Sequence, residues 1–276
     1  MDCIKWVSLY NYPLYFKGVM MLIKSSLWFS YAHQNSNDFG IVNINSSDSL
    51  FEEYFVSPRE LYQTKVRGRD KPYFQGSSRD NLIIPVSFAF KNTWDENKIR
   101  EIKRWLCTPE FYQPLYFSHD INRIYYALLA DDSSLIHNGL SQGYVEMYFH
   151  TNSPFAYSPV YISETFNSNG NLTFQMVNDG DLIIYPEIFI SKPIASSKQD
   201  ITIHNQTNNK SITFWDVLAG ENIYLNMENK YIETNISETK RYDNYDGFFW
   251  GLEYGINNIH INGNVDIYFK YQCKFL

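Results

Sequence analysis

The chain of 276 residues carries 23 Lys and Arg against 30 Asp and Glu, a formal net charge of −7 that excludes a protein coating nucleic acid. At 44% hydrophobic and 18% aromatic residues, it can bury the core of one large globular domain or two ordinary ones. Cys3, Cys107 and Cys273 are odd in number, widely separated and without CxxC spacing, which excludes a disulfide frame and predicts reduced thiols.

Residues 1–24 read as an N-terminal extension, with Met20 or Met21 as an alternative start. The most apolar run there, Val19 to Ile23, is short and flanked by Lys17 and Lys24, so it predicts neither a membrane span nor a secretory leader. Further along, Arg59, Lys65, Arg67, Arg69, Lys71 and Arg79 concentrate base around Tyr73 and Phe74. Such a cluster suits a partner-facing surface better than a phosphate site, because Arg and aromatic side chains dominate protein–protein hot spots. The expectation is that Arg67, Arg69, Lys71, Tyr73 and Phe74 lie at a subunit or partner interface, with Gly68 letting the backbone bend between them. The competing reading is an exposed hairpin with Tyr73 and Phe74 folded into their own core.

From Leu82 to Phe90 apolar residues alternate, the period of a half-buried strand. Thr93 and Glu96 then have capping-box spacing, and Ile99, Ile102, Trp105 and Leu106 follow at helical spacing until Pro109. This is the only long helix the pattern supports. Strands are expected near 115–117, 123–130 and 144–150, with Asn138-Gly139 as a turn.

The Pro-bounded stretch from Ser153 to Pro159 marks a boundary between residues 25–158 and 159–276. The charge divides there too: 15 Lys and Arg against 16 Asp and Glu (−1) through residue 158, then 8 against 14 (−6). Beyond it, Asn169-Gly170, Asp179-Gly180, Asn208-Asn209, Asp246-Gly247 and Asn262-Gly263 read as turns between short strands of an antiparallel β-sandwich. Alternating Ile201/Ile203, Ile223/Leu225 and Ile259/Ile261 supply its inner faces. The fold class is therefore mainly β with one notable helix.

Catalytic signals are weak. Gly139 to Gly143 matches G-x-S-x-G around Ser141, but a nucleophile elbow needs a buried strand before it and a helix after it, and neither pattern is present. His33, His119, His137, His150, His204 and His260 have no metal-binding spacing, so His119-Asp120 reads as a loop pair. Asp131-Asp132 lacks a calcium loop, and adjacent Glu52 and Glu53 would point to opposite faces of a strand. No cofactor or metal is expected, and no enzymatic activity. Trp215, Tyr242, Tyr245 and Trp250 could stack on sugar rings, which keeps a carbohydrate-binding adhesin module as the alternative function.

Several segments, in order along the chain, resemble the distal tail (Dit) family of long-tailed bacteriophages. They are Ser36-Asn37-Asp38-Phe39-Gly40, Arg67-Gly68-Arg69 with Pro72-Tyr73-Phe74, Ile102 to Leu106, Pro114 to Phe117, Arg123 to Ala127 and Ser153 to Ala156. The second half adds Gly180-Asp181-Leu182, Tyr185 to Ile188, Gly220-Glu221 and Tyr254 to Asn258. Each is short, and the order over roughly residues 25–276 carries the likeness. The resemblance implies a homo-hexameric ring built by residues 25–158 and a galectin-like β-sandwich at 159–276. It also implies docking to a tail tube protein and a tail-associated fibre or lysin hub, possible contacts with receptor-binding proteins, and assembly in the bacterial cytoplasm into the virion tail tip. It implies no catalytic residues, no nucleic-acid binding and no membrane.

Overall fold

A computed structural model describes residues 26–44, 57–139, 142–237 and 240–276, the Asp132 side chain excepted. The expected extension at 1–24, Met20, Met21, Glu52, Glu53 and Ser141 lie outside these residues. The chain divides into two compact units between Tyr157 and Ser158, each built on a curled antiparallel sheet.

The N-terminal unit contains β1 (Phe29–Tyr31), β2 (Gln34–Asn35), β3 (Ile41–Ile44), β4 (Arg59–Thr64), β5 (Tyr73–Arg79), β6 (Ile83–Phe90), β7 (Gln113–Phe117), β8 (Asp120–His137), β9 (Gly143–Thr151) and β10 (Ala156–Tyr157). Helix α1 (Glu96–Cys107) joins β6 to β7. Seven strands pair in the order β2-β1-β7-β8-β9-β6-β3, and Tyr157 of β10 adds opposite Ile124 of β8. Ile84, Val86 and Phe88 alternate into the core as their spacing predicts.

Helix α1 buries Ile102, Trp105 and Leu106, and Trp105 anchors it most specifically. The Trp105 ring stacks on Phe39 (centroids 4.2 Å apart) and on Phe29 (5.6 Å), while its Nε1–H donates to the Tyr31 carbonyl at 2.9 Å. The indole thus buries its area against two rings and still satisfies its only polar atom. The helix start differs from the capping box expected at Thr93: Asp95 is the N-cap, its carboxylate accepting from the Lys98 N–H at 2.8 Å. An Asp closer to the apolar face competes successfully for the cap, and its charge also suits the helix dipole. The strand expected at 123–130 is part of the longer β8, which continues past an irregularity between Ala130 and Ser134, where Asp131 takes a φ of 66°.

The C-terminal unit contains β11 (Tyr161–Ile162), β12 (Phe166–Asn178), β13 (Glu187–Ser191), β14 (Gln199–Asn205), β15 (Lys210–Val217), β16 (Asn222–Asn226), β17 (Tyr231–Thr234), β18 (Tyr245–Gly247) and β19 (Gly255–Tyr271). Along β19 the odd-numbered residues from Asn257 to Phe269 face inward, and the even-numbered ones face solvent. One edge of β19 pairs with β12. The other edge takes β14 at residues 259–262 and β13 at 266–270, which start the wings β14-β15-β18 and β13-β16-β17.

Between those two attachments β19 bends. Gly263 (φ 133°) sits there, opposite Gly170 (φ 116°) of β12, and a Cβ on Gly263 would lie 3.1 Å from Ile201 Cγ1. Asn169-Gly170 and Asn262-Gly263 are therefore paired mid-strand bends and not the turns expected from sequence. Glycine marks a close backbone approach as readily as a turn. The bend lets both wings bury one shared core, from Ile188 and Leu225 on one wing to Ile201 and Phe214 on the other.

One ion pair lies wholly inside this unit. Arg241 and Glu221 side chains are 2% and 0% exposed. Arg241 Nε donates to Glu221 Oε1 at 2.6 Å, and Nη2 to Oε2. Thr234 Oγ1 and the Leu218 N–H donate to the same carboxylate, and Arg241 Nη1 reaches the Trp215 carbonyl at 2.8 Å. Burial alone would raise the Glu221 pKa, but these donors outweigh it and hold the carboxyl below its ordinary value. The pair ties together the loops after β15 and β17. Glu221→Gln leaves a buried guanidinium uncompensated and should destabilise this unit by about 3–5 kcal/mol in urea titrations of the full chain. The stabilisation from Glu221 is present above the unfolded carboxyl pKa of about 4.3 and is lost as pH falls through the lower folded value, so the variant's deficit should shrink in acid.

Candidate functional site

The basic, aromatic segment forms a hairpin of its own. β4 and β5 make a separate two-stranded sheet, joined by a turn in which the Arg69 N–H donates to the Val66 carbonyl at 3.1 Å. Gly68 takes φ 84° at the third position of that turn, the left-handed geometry that glycine supplies without strain. At the base, the Asp80 N–H donates to the Pro58 carbonyl.

Antiparallel partners share a face, so the register assigns the side chains. Arg59, Leu61 and Gln63 stand opposite Arg79, Ser77 and Phe74 on one face. Glu60, Tyr62 and Thr64 stand opposite Ser78, Gly76 and Tyr73 on the other. Every residue of β4 is exposed, and Phe74, the most open aromatic here, is 66% exposed. The segment is the exposed hairpin of the competing reading, but Tyr73 and Phe74 do not form a core of their own.

Arg69 caps Tyr73: its guanidinium carbon lies 4.3 Å from the ring centroid and Nη1 donates to the phenol oxygen. Tyr62 Oη lies 2.8 Å from Ser78 Oγ. Arg67 and Lys71 sit exposed at the tip, beside Arg69 in the chain. Among the described residues no ion pair of 4.0 Å or less involves Arg59, Arg67, Arg69 or Lys71. Leu61 and Tyr62 belong to this surface as well. Leu61 and Tyr62 are adjacent between Glu60 and Gln63, with no alternation in the sequence to mark them.

The other candidates come apart. Asp120 accepts from the Asn122 N–H and pairs with Arg123, so His119 gains no ligand partner from it. Trp250 is fully buried in the C-terminal core, which removes it from any sugar-stacking surface. His150 Nε2 and Asp131 Oδ2 are 2.5 Å apart, a pairing of the kind that orients a general base. His150 lies on β9 seven residues beyond Gly143, roughly 23 Å at the rise of an extended strand, so that dyad is remote from the Gly139–Gly143 turn. The turn joins two strands, β8 and β9, with no helix after it. Among the described residues there is no cluster of three His, Cys, Asp or Glu that could hold a metal, and no helix is long and apolar enough to cross a membrane.

Residues 24–153 match the family described as phage tail protein N-terminal domain, and residues 155–271 the phage tail C-terminal domain. The SPbeta prophage-derived protein YomH of Bacillus subtilis (strain 168) is 31% identical over 257 residues, covering 92% of this chain and 100% of that protein. The crystal structure of the SPP1 Dit (gp 19.1) protein, a paradigm of hub adsorption apparatus in Gram-positive infecting phages, aligns with a TM-score of 0.63 at 15% identity. That alignment covers 90% of this chain and 99% of that one, and at such identity it establishes the shared fold. Two tandem domain matches, a full-length relative and the β-rich architecture agree that this chain belongs to the phage tail protein family and has the distal tail (Dit) fold.

Proposed function

We propose that this phage tail protein closes a homo-hexameric ring at the tail tip, with residues 25–158 forming the ring and residues 159–276 folding as a separate domain. The ring joins the tail tube protein to the tail-associated fibre or lysin hub, supports receptor-binding proteins during adsorption, and assembles in the host cytoplasm before entering the virion. The chain has a structural role and no catalytic one.

The observation that carries this reading is the β4–β5 hairpin. A two-stranded ribbon is marginally stable alone in water, and this one exposes Leu61 and Phe74 on one face and Tyr62 and Tyr73 on the other. A neighbouring subunit that covers both faces supplies the missing burial. A head-to-tail contact repeated with closing rotation leaves no subunit uncovered.

Native mass measurement should find six times the 32.6 kDa subunit mass. Leu61→Ala with Phe74→Ala, or Arg67→Ala with Arg69→Ala, should shift that hexamer towards monomer, since each hot-spot truncation costs on the order of 2 kcal/mol and every contact repeats the loss. A monomeric wild type at micromolar concentration, or double variants that stay hexameric, would refute the ring interface. A fragment of residues 159–276 should be soluble and monomeric.

Ser141→Ala should leave assembly and tail function unchanged, and a fluorophosphonate probe should not label Ser141. Labelling at that residue would return the chain to the hydrolases.

A further inference from the structure

The solvent face of the β17-β16-β13-β19 wing carries three ordered rows of side chains. The register places Glu233, Tyr224, Phe189 and Tyr268 side by side across the four strands. One residue pair along, Asn222, Ser191 and Asp266 form a second row, continued on β12 by Asn167. On the other side, Asn226, Glu187 and Lys270 form a third.

The middle row is aromatic. Phe189 and Tyr268 stack with centroids 4.5 Å apart, and Tyr224 leans on Phe189 at 5.0 Å. All three rings are partly buried and line a groove of about 510 Å³, with Glu233, Asp266 and Asn222 among its walls. The polar rows are held in place: Ser191 Oγ donates to Asn222 Oδ1 at 2.5 Å, Asn167 Nδ2 to Asp266 Oδ1 at 2.6 Å, and Tyr224 Oη to Glu187 Oε2 at 3.1 Å. Each of these carboxylates and amides has more lone pairs or N–H groups than those contacts use.

We propose that this groove binds a neutral oligosaccharide. A pyranose ring has one apolar C–H face and a rim of hydroxyls, so it packs on an open aromatic surface beside carboxylate and amide groups that accept and donate at once. Phe189 gives its faces to Tyr268 and Tyr224, so the outer rings Tyr268 and Tyr224 are the contact surface. The aromatic row and the Asn222–Ser191–Asp266 row supply that combination. The charge selects among glycans: the groove is lined by Glu233 and Asp266 with no Lys or Arg, which disfavours phosphate- or uronate-bearing polymers. The site is independent of ring assembly, because it lies on the C-terminal unit and the proposed ring contact lies on β4–β5.

Isothermal calorimetry of the full chain against neutral oligosaccharides of glucose, galactose and N-acetylglucosamine, with poly(glycerol phosphate) as the anionic comparison, tests the assignment. At least one neutral oligosaccharide should bind. Tyr268→Ala should weaken it about tenfold or more, and Asp266→Asn by several-fold, with the hexamer mass unchanged. Asp266→Asn keeps the side-chain volume on a solvent face, so it remains informative should Tyr268→Ala fail to fold. The proposal is overturned if no neutral oligosaccharide binds, if binding survives both folded variants, or if poly(glycerol phosphate) binds as tightly. Loss of hexamer with sugar binding intact would strike the ring interface alone.

Discussion

The C-terminal unit depends on the strict two-residue alternation of a single strand. Seven successive odd positions of β19, from Asn257 to Phe269, are turned inward or towards the bend, and the even ones are left on the surface. Because the period is fixed at two, a slip of one residue would exchange Ile259, Ile261, Val265 and Ile267 for Asn258, His260, Asp266 and Tyr268 in the core. That penalty locks β12, β13 and β14 into register at once. The same lock orders the outer face, so the aromatic row and its polar neighbours are a by-product of core packing. Two glycines across from each other allow the strand pair to bend without breaking this alternation.

The N-terminal unit shows satisfied and unsatisfied burial a short distance apart in sequence. Trp105 brings α1 onto the sheet with both ring faces covered and its N–H bonded. The β4–β5 ribbon has no such cover, although its aromatic content is as high. Polar groups inside the C-terminal core are mostly paired, although Trp250 Nε1 has no partner. In the C-terminal unit the fully buried Asn178, Asn205 and Asn257 side chains all find partners, with Asn257 bonding the backbone of Glu253 and Gly255. This gives a physical reason for the Tyr254 to Asn258 motif: Asn257 holds the turn that starts β19.

Much of this was legible because it obeys short periods. The inward alternation of Ile84, Val86 and Phe88, the Ile102-Trp105-Leu106 face of α1 and the β-rich second half all follow from spacing. Positions decided by distant partners were not legible. Gly170 and Gly263 look like turn residues singly, and only their pairing across two long strands makes them a bend. Thr93 matched a capping pattern that Asp95 fulfils, since the choice depends on where the apolar face meets the sheet. Trp250 carries no local mark that separates a core indole from a surface one. The aromatic row could not be seen at all, because Phe189, Tyr224 and Tyr268 come from three strands brought together by register. The hairpin residues Arg67, Arg69, Lys71, Tyr73 and Phe74 were visible as a composition, and Leu61 and Tyr62 on the neighbouring strand, opposite Ser77 and Gly76, were not.

The paired edges of β4–β5 have an opposite pair of edges, and among the described residues neither is joined to another strand. An open ribbon edge is a template on which any extended chain can add, including another copy caught in the wrong orientation. Six Lys and Arg against two acidic residues over 59–79 give that ribbon a local positive charge in an otherwise acidic chain. Like charges keep free subunits from zipping together edge to edge, and they do so only over the Debye length, about 10 Å at 0.1 M salt. The hairpin thereby carries its own guard against aggregation, one that weakens as ionic strength rises.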